Sequence, residues 1–298
     1  MSSFRIIHAS DFHFDGSPEL LEGLRALVTA AIARAPDLVV ITGDLSAGGR
    51  PAELAVVARE LERFGSVPRL VLPGNRDVVA SAGPPGEARL LPADSDLDYF
   101  LALEPALSFG FDESGADVAA AAPGAAFTEL FGDLEPAYQD ASVSVAGVNS
   151  SPRLRSDSLA HAAKRLRKAP AGAIRVFAMH HGLVGIPGRK VRDGDLSHRA
   201  GDVLALMLDL HVELVLHGHL HRAHVWQVGD GRHTMLVAGS GALVNDGRRD
   251  ASFLEIDFDP TRIRILRRSP TGGAEILHEG VRTSSDGSGT RQGMAAAD

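Results

Sequence analysis

Five short stretches of this chain each place an oxygen- or nitrogen-bearing side chain directly after an apolar run. Asp11 and His13 follow "FRIIHAS", Asp44 follows "DLVVITG", and Asn75 follows "PRLVLPG". His180 and His181 follow "AIRVFAM". His219 and His221 follow "VELVLHG", within "LHGHLHRAH", a segment with four histidines in nine residues. Asp-x-His and His-x-His spacing puts alternate side chains on one side of an extended segment, so both can reach one centre. A glycine stands directly before Asp44, Asn75 and His219, where it lets the backbone turn sharply and approach a neighbour closely. The chain has no cysteine. That leaves His, Asp, Glu, Asn and water as metal donors, a set suited to Mn, Fe, Zn or Mg rather than to soft metals. Together these residues supply about seven N and O ligands. That is too many for one tetrahedral zinc and about right for two ions sharing a carboxylate. Singly, each piece is weak: Gly-Asp and Gly-Asn are commonly turns, and one histidine near a strand end is commonly a hydrogen-bonded core residue. Their order along the chain, each after an expected strand, is what carries the signal.

The elements that must hold these residues alternate between short apolar runs and amphipathic stretches. Strands are expected over 4–10, 37–43, 68–74, 141–150, 173–182 and 212–218. Helices are expected over 18–35, with Pro18 in the first turn, and over 51–64, 156–169 and 199–211. Strand–helix alternation implies βαβ units and a mostly parallel sheet, and such sheets build their sites at the carboxyl ends of the strands. Residues 223–241 read as a hairpin turning at Gly229–Gly231, and 252–269 as a second turning at Asp259–Thr261. These add antiparallel strands. Residues 80–135 are rich in Pro, Gly and Asp, with a short helix near their end; they read as an insertion beside the sheet, either a lid or a plain excursion. The domain is expected to span 1–270. Residues 271–298, ending in "TSSDGSGTRQGMAAAD", are expected to form a disordered tail.

With 298 residues, 44% hydrophobic and 23% charged, the chain has an ordinary globular composition and length enough for one large α/β domain. Its net charge of −8 argues against a broad nucleic-acid surface. No run of about 18 uncharged apolar residues occurs, so no membrane span is expected. The opening "MSSFRIIHASDF" lacks the basic-then-apolar order of a signal peptide, and a cytoplasmic location is the expectation. There is no GxSxG elbow, cysteine nucleophile or P-loop; the Gly-rich "GSGALVNDG" lacks the P-loop lysine.

The motifs "DFH", "GDL", "GNRD", "MHH" and "GHLH" resemble the calcineurin-like metallophosphoesterase signature over roughly residues 4–268. The later stretch from "VLHGHLHRAHVW" to "DASFLEIDF" is most similar to the branch that holds class III cyclic-nucleotide phosphodiesterases. The resemblance implies an α/β fold in which two mixed β-sheets pack as a sandwich flanked by helices, a four-layer αββα arrangement. It implies Asp11, His13 and His221 on one divalent ion, Asn75, His180 and His219 on the other, and Asp44 bridging them. His180 is taken over His181 because the family's ligand is the first polar residue after the apolar run; His181 then stands behind the ligands or at the substrate rim. Mn and Fe are the foremost metals, with Zn or Mg as alternatives. Two such ions about 3.5–4 Å apart can share a hydroxide and clamp a phosphate. The implied activity is hydrolysis of a small, nucleotide-like phosphodiester or pyrophosphate. A phosphomonoesterase or protein phosphatase, a nuclease and, last, a non-catalytic scaffold are the alternatives. One departure stands out: Arg76 occupies the place where the common pattern has histidine. Arginine cannot donate a proton at neutral pH, but it can hold a phosphate oxygen through two hydrogen bonds. The plainer reading is an ion pair with Asp77 or another acid. Arg76 and His181 are the candidate catalytic side chains, with His217 and His224 as neighbours and His8 as a core residue.

Overall fold

A computed structural model describes residues 3–78, 124–186, 189–192, 194–243 and 251–282. The first half of the chain lays down three parallel strands, β1 (Phe4–Ala9), β2 (Leu38–Thr42) and β3 (Arg69–Leu72). Their near-continuous apolar runs suit strands covered on both faces. They are joined by α1 (Pro18–Ile32) and α2 (Pro51–Leu61), each opened by a proline where its missing N–H leaves no bond unmade. The two hairpin strands near the end, β10 (Phe253–Phe258) and β11 (Arg262–Arg268), join this sheet beside β1, and β12 (Ala274–Val281) completes it in the order β12-β11-β10-β1-β2-β3. The second sheet runs β4-β5-β6-β7-β9-β8. Its members are β4 (Ala137–Gln139), β5 (Val143–Gly147), β6 (Ile174–Ala178), β7 (Leu214–His217), β8 (His224–Gly229) and β9 (Thr234–Gly239). The expected 223–241 hairpin is there, with β9 also pairing in parallel with β7.

The alternation of side chains along each strand sorts the core into layers. Ile6, Val40, Leu70, Val145, Val176, Leu214 and Ile256 meet between the sheets. Ile7, Val39 and Ile41 pack outward against Leu24, Val28, Leu54 and Val57 of α1 and α2. On the far side Phe177, Val215 and Val237 pack against α4 (Ser156–Leu166) and α5 (Ala200–Asp209) through Leu159, Ala163, Val203 and Met207. The result is the expected αββα sandwich of two mixed sheets. No helix among the described residues is long and apolar enough to cross a membrane.

The sequence-based boundary at 270 needs correcting. Residues 274–281 form an edge strand paired with β11. An edge strand on a solvated face needs few apolar residues, so its composition resembles that of a tail. Leu277 packs against the inter-sheet core, and Arg267 pairs with Glu275 at 2.9 Å. Just past the strand, Arg282 Nε meets Glu213 Oε2 at 2.7 Å, both side chains 6% exposed, and ties the end of this sheet to the start of β7 in the other. Of the expected 80–135 insertion, residues 80–123 lie outside the described residues, as does the question of a lid. Its end forms α3 (Ala125–Phe131), whose Phe127 is buried beside α2. Residues 283–298 also lie outside the described residues.

Candidate metal centre

β1, β2 and β3 of one sheet and β6 and β7 of the other all end on the same side of the sandwich, and the loops beyond them converge. Asp11 and His13 leave β1, Asp44 leaves β2, Asn75 and Arg76 leave β3, His180 and His181 leave β6, and His219 and His221 leave β7. The backbones are locked together first. Asp11 N–H donates to Gly43 O and His13 N–H to Asp44 O, both at 2.9 Å, and Phe14 bridges to Ser46. The β1–β2 pairing is thereby resumed beyond the candidate ligands. Arg76 N–H donates to Asp44 Oδ1 at 2.9 Å, and His219 N–H donates to Asp11 Oδ2 at 2.9 Å.

Two glycines allow this closeness. A Cβ on Gly74 would lie 2.2 Å from both Asp44 N and Asp44 Oδ1; one on Gly218 would lie 2.6 Å from Asp11 Oδ2. Neither position has a left-handed φ, so glycine is needed there for approach, not for the turn.

Two groups of donor atoms result. Asp11, His13, Asp44 and His221 bring ligand atoms within 4.8 Å of one another, and so do Asp44, His180 and His219, with Asp44 common to both. In the first group His13 Nε2 lies 2.9 Å from His221 Nε2 and 3.7 Å from Asp44 Oδ2, and His221 Nε2 lies 3.4 Å from Asp11 Oδ1. In the second, His180 Nε2 lies 3.1 Å from Asn75 Oδ1, 3.2 Å from His219 Nδ1 and 3.5 Å from Asp44 Oδ1. All seven expected ligands are therefore brought together.

The donor set fits cations. His180 Nδ1 faces the carbonyl of Thr42 at 2.7 Å and must donate its proton there. A neutral His180 then turns a lone pair toward the amide oxygen of Asn75 and the carboxylate of Asp44, an encounter of acceptors that a cation reconciles. The electrostatics agree. Burial works against charge on His180, yet Asp44, then Asp11 and the Thr42 carbonyl, raise its pKa above the ordinary value. Positive charge is favoured at that spot. Burial holds His13 down to about 4, partly offset by Asp44, and burial with His181 and His180 holds His219 well below the usual imidazole range. Asp11 is pushed up by burial but more than pulled back by His221, His180 and His13, so it stays ionised. Neutral imidazoles and ionised carboxylates are the states that bind metal.

His181 lies beside the second group, its ring centroid 4.7 Å from that of His219 and 5.2 Å from that of His180. Burial, then His180, pushes its pKa down to about 3. Arg76 is near enough to His13 for its charge to oppose a second one there. Among the described residues the plainer alternative for Arg76, an ion pair with Asp77, is not formed. Asp77 is buried and accepts hydrogen bonds from Leu45 N, Ser46 N, Ser46 Oγ and Gly74 N at 2.9–3.1 Å. It is a clamp joining the loops that present Asp44 and Asn75, a role the sequence does not display because its partners are backbone amides of another loop. Ser150, after β5, was also missed. It follows a strand end like the others, but serine is not a ligand type; its hydroxyl contacts His181. The expected bystanders are outside both groups. His217 Nδ1 donates to Gly218 O and His224 Nδ1 to Arg222 O, and His8 is buried against Thr42 Oγ1 at 2.9 Å.

A four-layer αββα sandwich with carboxylate and imidazole groups gathered at the ends of both sheets has the layout of a metal-dependent phosphoester hydrolase. The chain belongs to the calcineurin-like phosphoesterase family, whose model matches residues 4–223. No curated protein sequence matches it. Among solved structures it is similar to purple acid phosphatase PPD1 from yellow lupin (Lupinus luteus) seeds, with a TM-score of 0.62 at 16% identity over 94% of this chain. It spans 53% of the lupin chain. It is also similar to a dimetal phosphatase from Danio rerio (TM-score 0.58, 12% identity, 95% of this chain and 99% of the other). A third similar structure is GAP50, the anchor in the inner membrane complex of Plasmodium (0.58, 13%, 95% and 89%). At these identities the likeness is one of fold.

Proposed function

We propose that this hydrolase cleaves a small phosphodiester or pyrophosphate of nucleotide type at a centre for two divalent cations. In this reading Asp11, His13 and His221 hold one, Asn75, His180 and His219 the other, and Asp44 both. The observation that carries it is the sharing of Asp44 between two convergent donor groups. Mn or Fe suits this all-N/O set better than Zn alone. When bound, such a pair supplies Lewis acidity and acidified water at neutral pH. This chain's residues do the remaining work. Asp77 and the Gly74 contact hold Asp44 in place, Arg76 presents a guanidinium to a phosphoryl oxygen, and His181 stands at the open side. Arg76 also bears on substrate class. It has no proton to give, so it suits leaving groups that depart without one, such as the phosphate of a pyrophosphate or an activated ester. The similarity of the later motif stretch to the class III phosphodiesterase branch supports a diester, while Arg76 weighs against a cyclic nucleotide, whose ribose alkoxide leaves only with a proton.

The test compares hydrolysis of bis-p-nitrophenyl phosphate and p-nitrophenyl phosphate after chelator treatment and reconstitution with Mn. Metal-dependent turnover with the diester preferred is expected. Preference for the monoester would replace this reading with a phosphomonoesterase, and no turnover of either would remove it.

A further inference from the structure

His180 and His181 are neighbours in sequence, yet different groups face their Nδ1 atoms. His180 Nδ1 meets a carbonyl, that of Thr42 at 2.7 Å, which can only accept. His181 Nδ1 meets the hydroxyl of Ser150 at 2.8 Å. Ser150 is buried in the segment after β5, and its oxygen also accepts the backbone N–H of His181 at 3.2 Å. A hydroxyl has one proton and two lone pairs. Among the described residues Ser150 Oγ forms no hydrogen bond beyond these two, so the acceptor within reach of its proton is His181 Nδ1.

We propose that Ser150 is a positioning residue: it donates to His181 Nδ1, fixes the tautomer with the proton on Nε2, and thereby aims an N–H donor at a phosphoryl oxygen of the substrate. The proposal rests on the reading of this centre as the place of phosphoester hydrolysis. The two histidines are thus sorted by their partners. A carbonyl behind His180 frees Nε2 as a lone pair, the form that ligates a cation. A hydroxyl behind His181 puts the proton on Nε2, the form that cannot ligate but can donate. The location agrees. The His181 ring lies against those of His219 and His180. Among the described residues its Nε2 has no hydrogen-bond partner, and the residue is partly exposed. A neutral donor adds no charge there; it selects by direction, for an oxygen held where the cations would clamp it.

The test uses the Zn-loaded full chain, with long-range 1H–15N correlation spectra of the imidazoles; the His181 resonances are identified by their loss in His181→Gln. Wild type should show the proton on Nε2. Ser150→Ala should lose that preference and lower kcat/KM for bis-p-nitrophenyl phosphate about 10- to 100-fold, as loss of an imidazole's orienting partner does. The fall should be mainly in kcat, at unchanged metal content and melting temperature. Ser150→Thr, which keeps the hydroxyl, should restore both. His181→Gln keeps an amide donor near the Nε2 position, and Ser150→Ala should cost nothing further in that background. A wild-type proton on Nδ1, or an equal loss from Ser150→Ala with and without His181, would overturn the proposal. If the wild type shows no metal-dependent hydrolysis, the functional reading fails, while the tautomer signal still decides what Ser150 does.

Discussion

A single methyl group at Gly74 should disable the centre. The backbone there is not left-handed, so alanine meets no conformational penalty, and any effect comes from contact alone. Its Cβ would stand 2.2 Å from Asp44 N, 2.2 Å from Asp44 Oδ1 and 2.8 Å from Asp44 Cγ. Ordinary contact begins near 3.4 Å, so the β2 and β3 loops must part by about 1.2 Å, in a region where interiors are packed like crystals. Those loops are pinned by Asp77, which bonds Leu45 N, Ser46 N and Gly74 N, and by Arg76 N on Asp44. Parting them strains or breaks these bonds. Overpacking of this kind costs about 1–3 kcal/mol of stability, and misplacing a group at a reacting centre, as Asp44 is proposed to be, by about 1 Å costs roughly 100-fold in rate. Gly74→Ala should therefore lower kcat/KM at least about 100-fold and reduce bound metal. Gly201→Ala is the control. It sits early in α5 with nothing within 4 Å of its would-be Cβ and should be neutral or gain up to about 1 kcal/mol. The measurements are kcat/KM on bis-p-nitrophenyl phosphate, metal by elemental analysis, and Tm. Gly74→Ala with full metal and kcat/KM within about threefold of wild type would refute the argument from close approach.

Other expectations follow from the same geometry. Active protein should carry about two metal ions per chain by elemental analysis; a single ion after reconstitution with excess Mn would contradict the shared-Asp44 reading. Asp44→Asn should abolish turnover and lose at least one metal, whereas a mere Gly-Asp turn would tolerate asparagine. Arg76→Ala should lower kcat/KM by roughly 100-fold, about 2.7 kcal/mol, with metal content unchanged and only partial rescue by lysine; wild-type rates would leave Arg76 as a surface residue. Arg282→Met should lower stability by about 3–5 kcal/mol in chemical denaturation, because it leaves Glu213 buried without its partner. Adding Glu213→Gln should recover part of the loss, and no recovery would assign the effect to packing.

The strands and the candidate ligands were legible because both follow local rules. An apolar run of five or six residues, such as "LVVIT", can be read without knowing its partners, and a polar side chain directly after it is placed at the sheet's end by chain direction alone. What escaped depends on contacts between segments distant in sequence. Asp77 reads at most as a partner for its neighbour Arg76, whereas its carboxylate serves backbone amides 31 and 32 residues earlier. Ser150 contacts His181, 31 residues away, and serine carries no ligand signature. Residues 274–281 read as tail because an edge strand draws its stability from a ladder and from pairs such as Arg267–Glu275, which composition does not display. The choice of His180 over His181 rests on resemblance; the contacts that distinguish the two rings, the Thr42 carbonyl at His180 Nδ1 and the Ser150 hydroxyl at His181 Nδ1, come from segments distant in sequence.

The same loops show why such a centre needs the whole sandwich behind it. Among the described residues, seven non-glycine residues have a positive φ: Asp11, His13, Ala35, Asp44, His211, His219 and His221. Five of them are candidate ligands. Asp and His tolerate this region better than most side chains, but each such residue costs about 1–3 kcal/mol, against a total stability of roughly 5–15 kcal/mol for a domain. The strain persists because bonds from other strands fix four of the five. Asp11 N–H reaches Gly43 O, His13 N–H reaches Asp44 O, Asp44 Oδ1 receives Arg76 N–H, and His219 N–H reaches Asp11. The left-handed turns take the chain out of the extended strand direction at the residues that bear the candidate ligands. His221 is the exception: among the described residues it has no such backbone bond, and its ring is held by His13 and Asp11. Of these five, it is the one whose place would depend most on the cation that those groups would share.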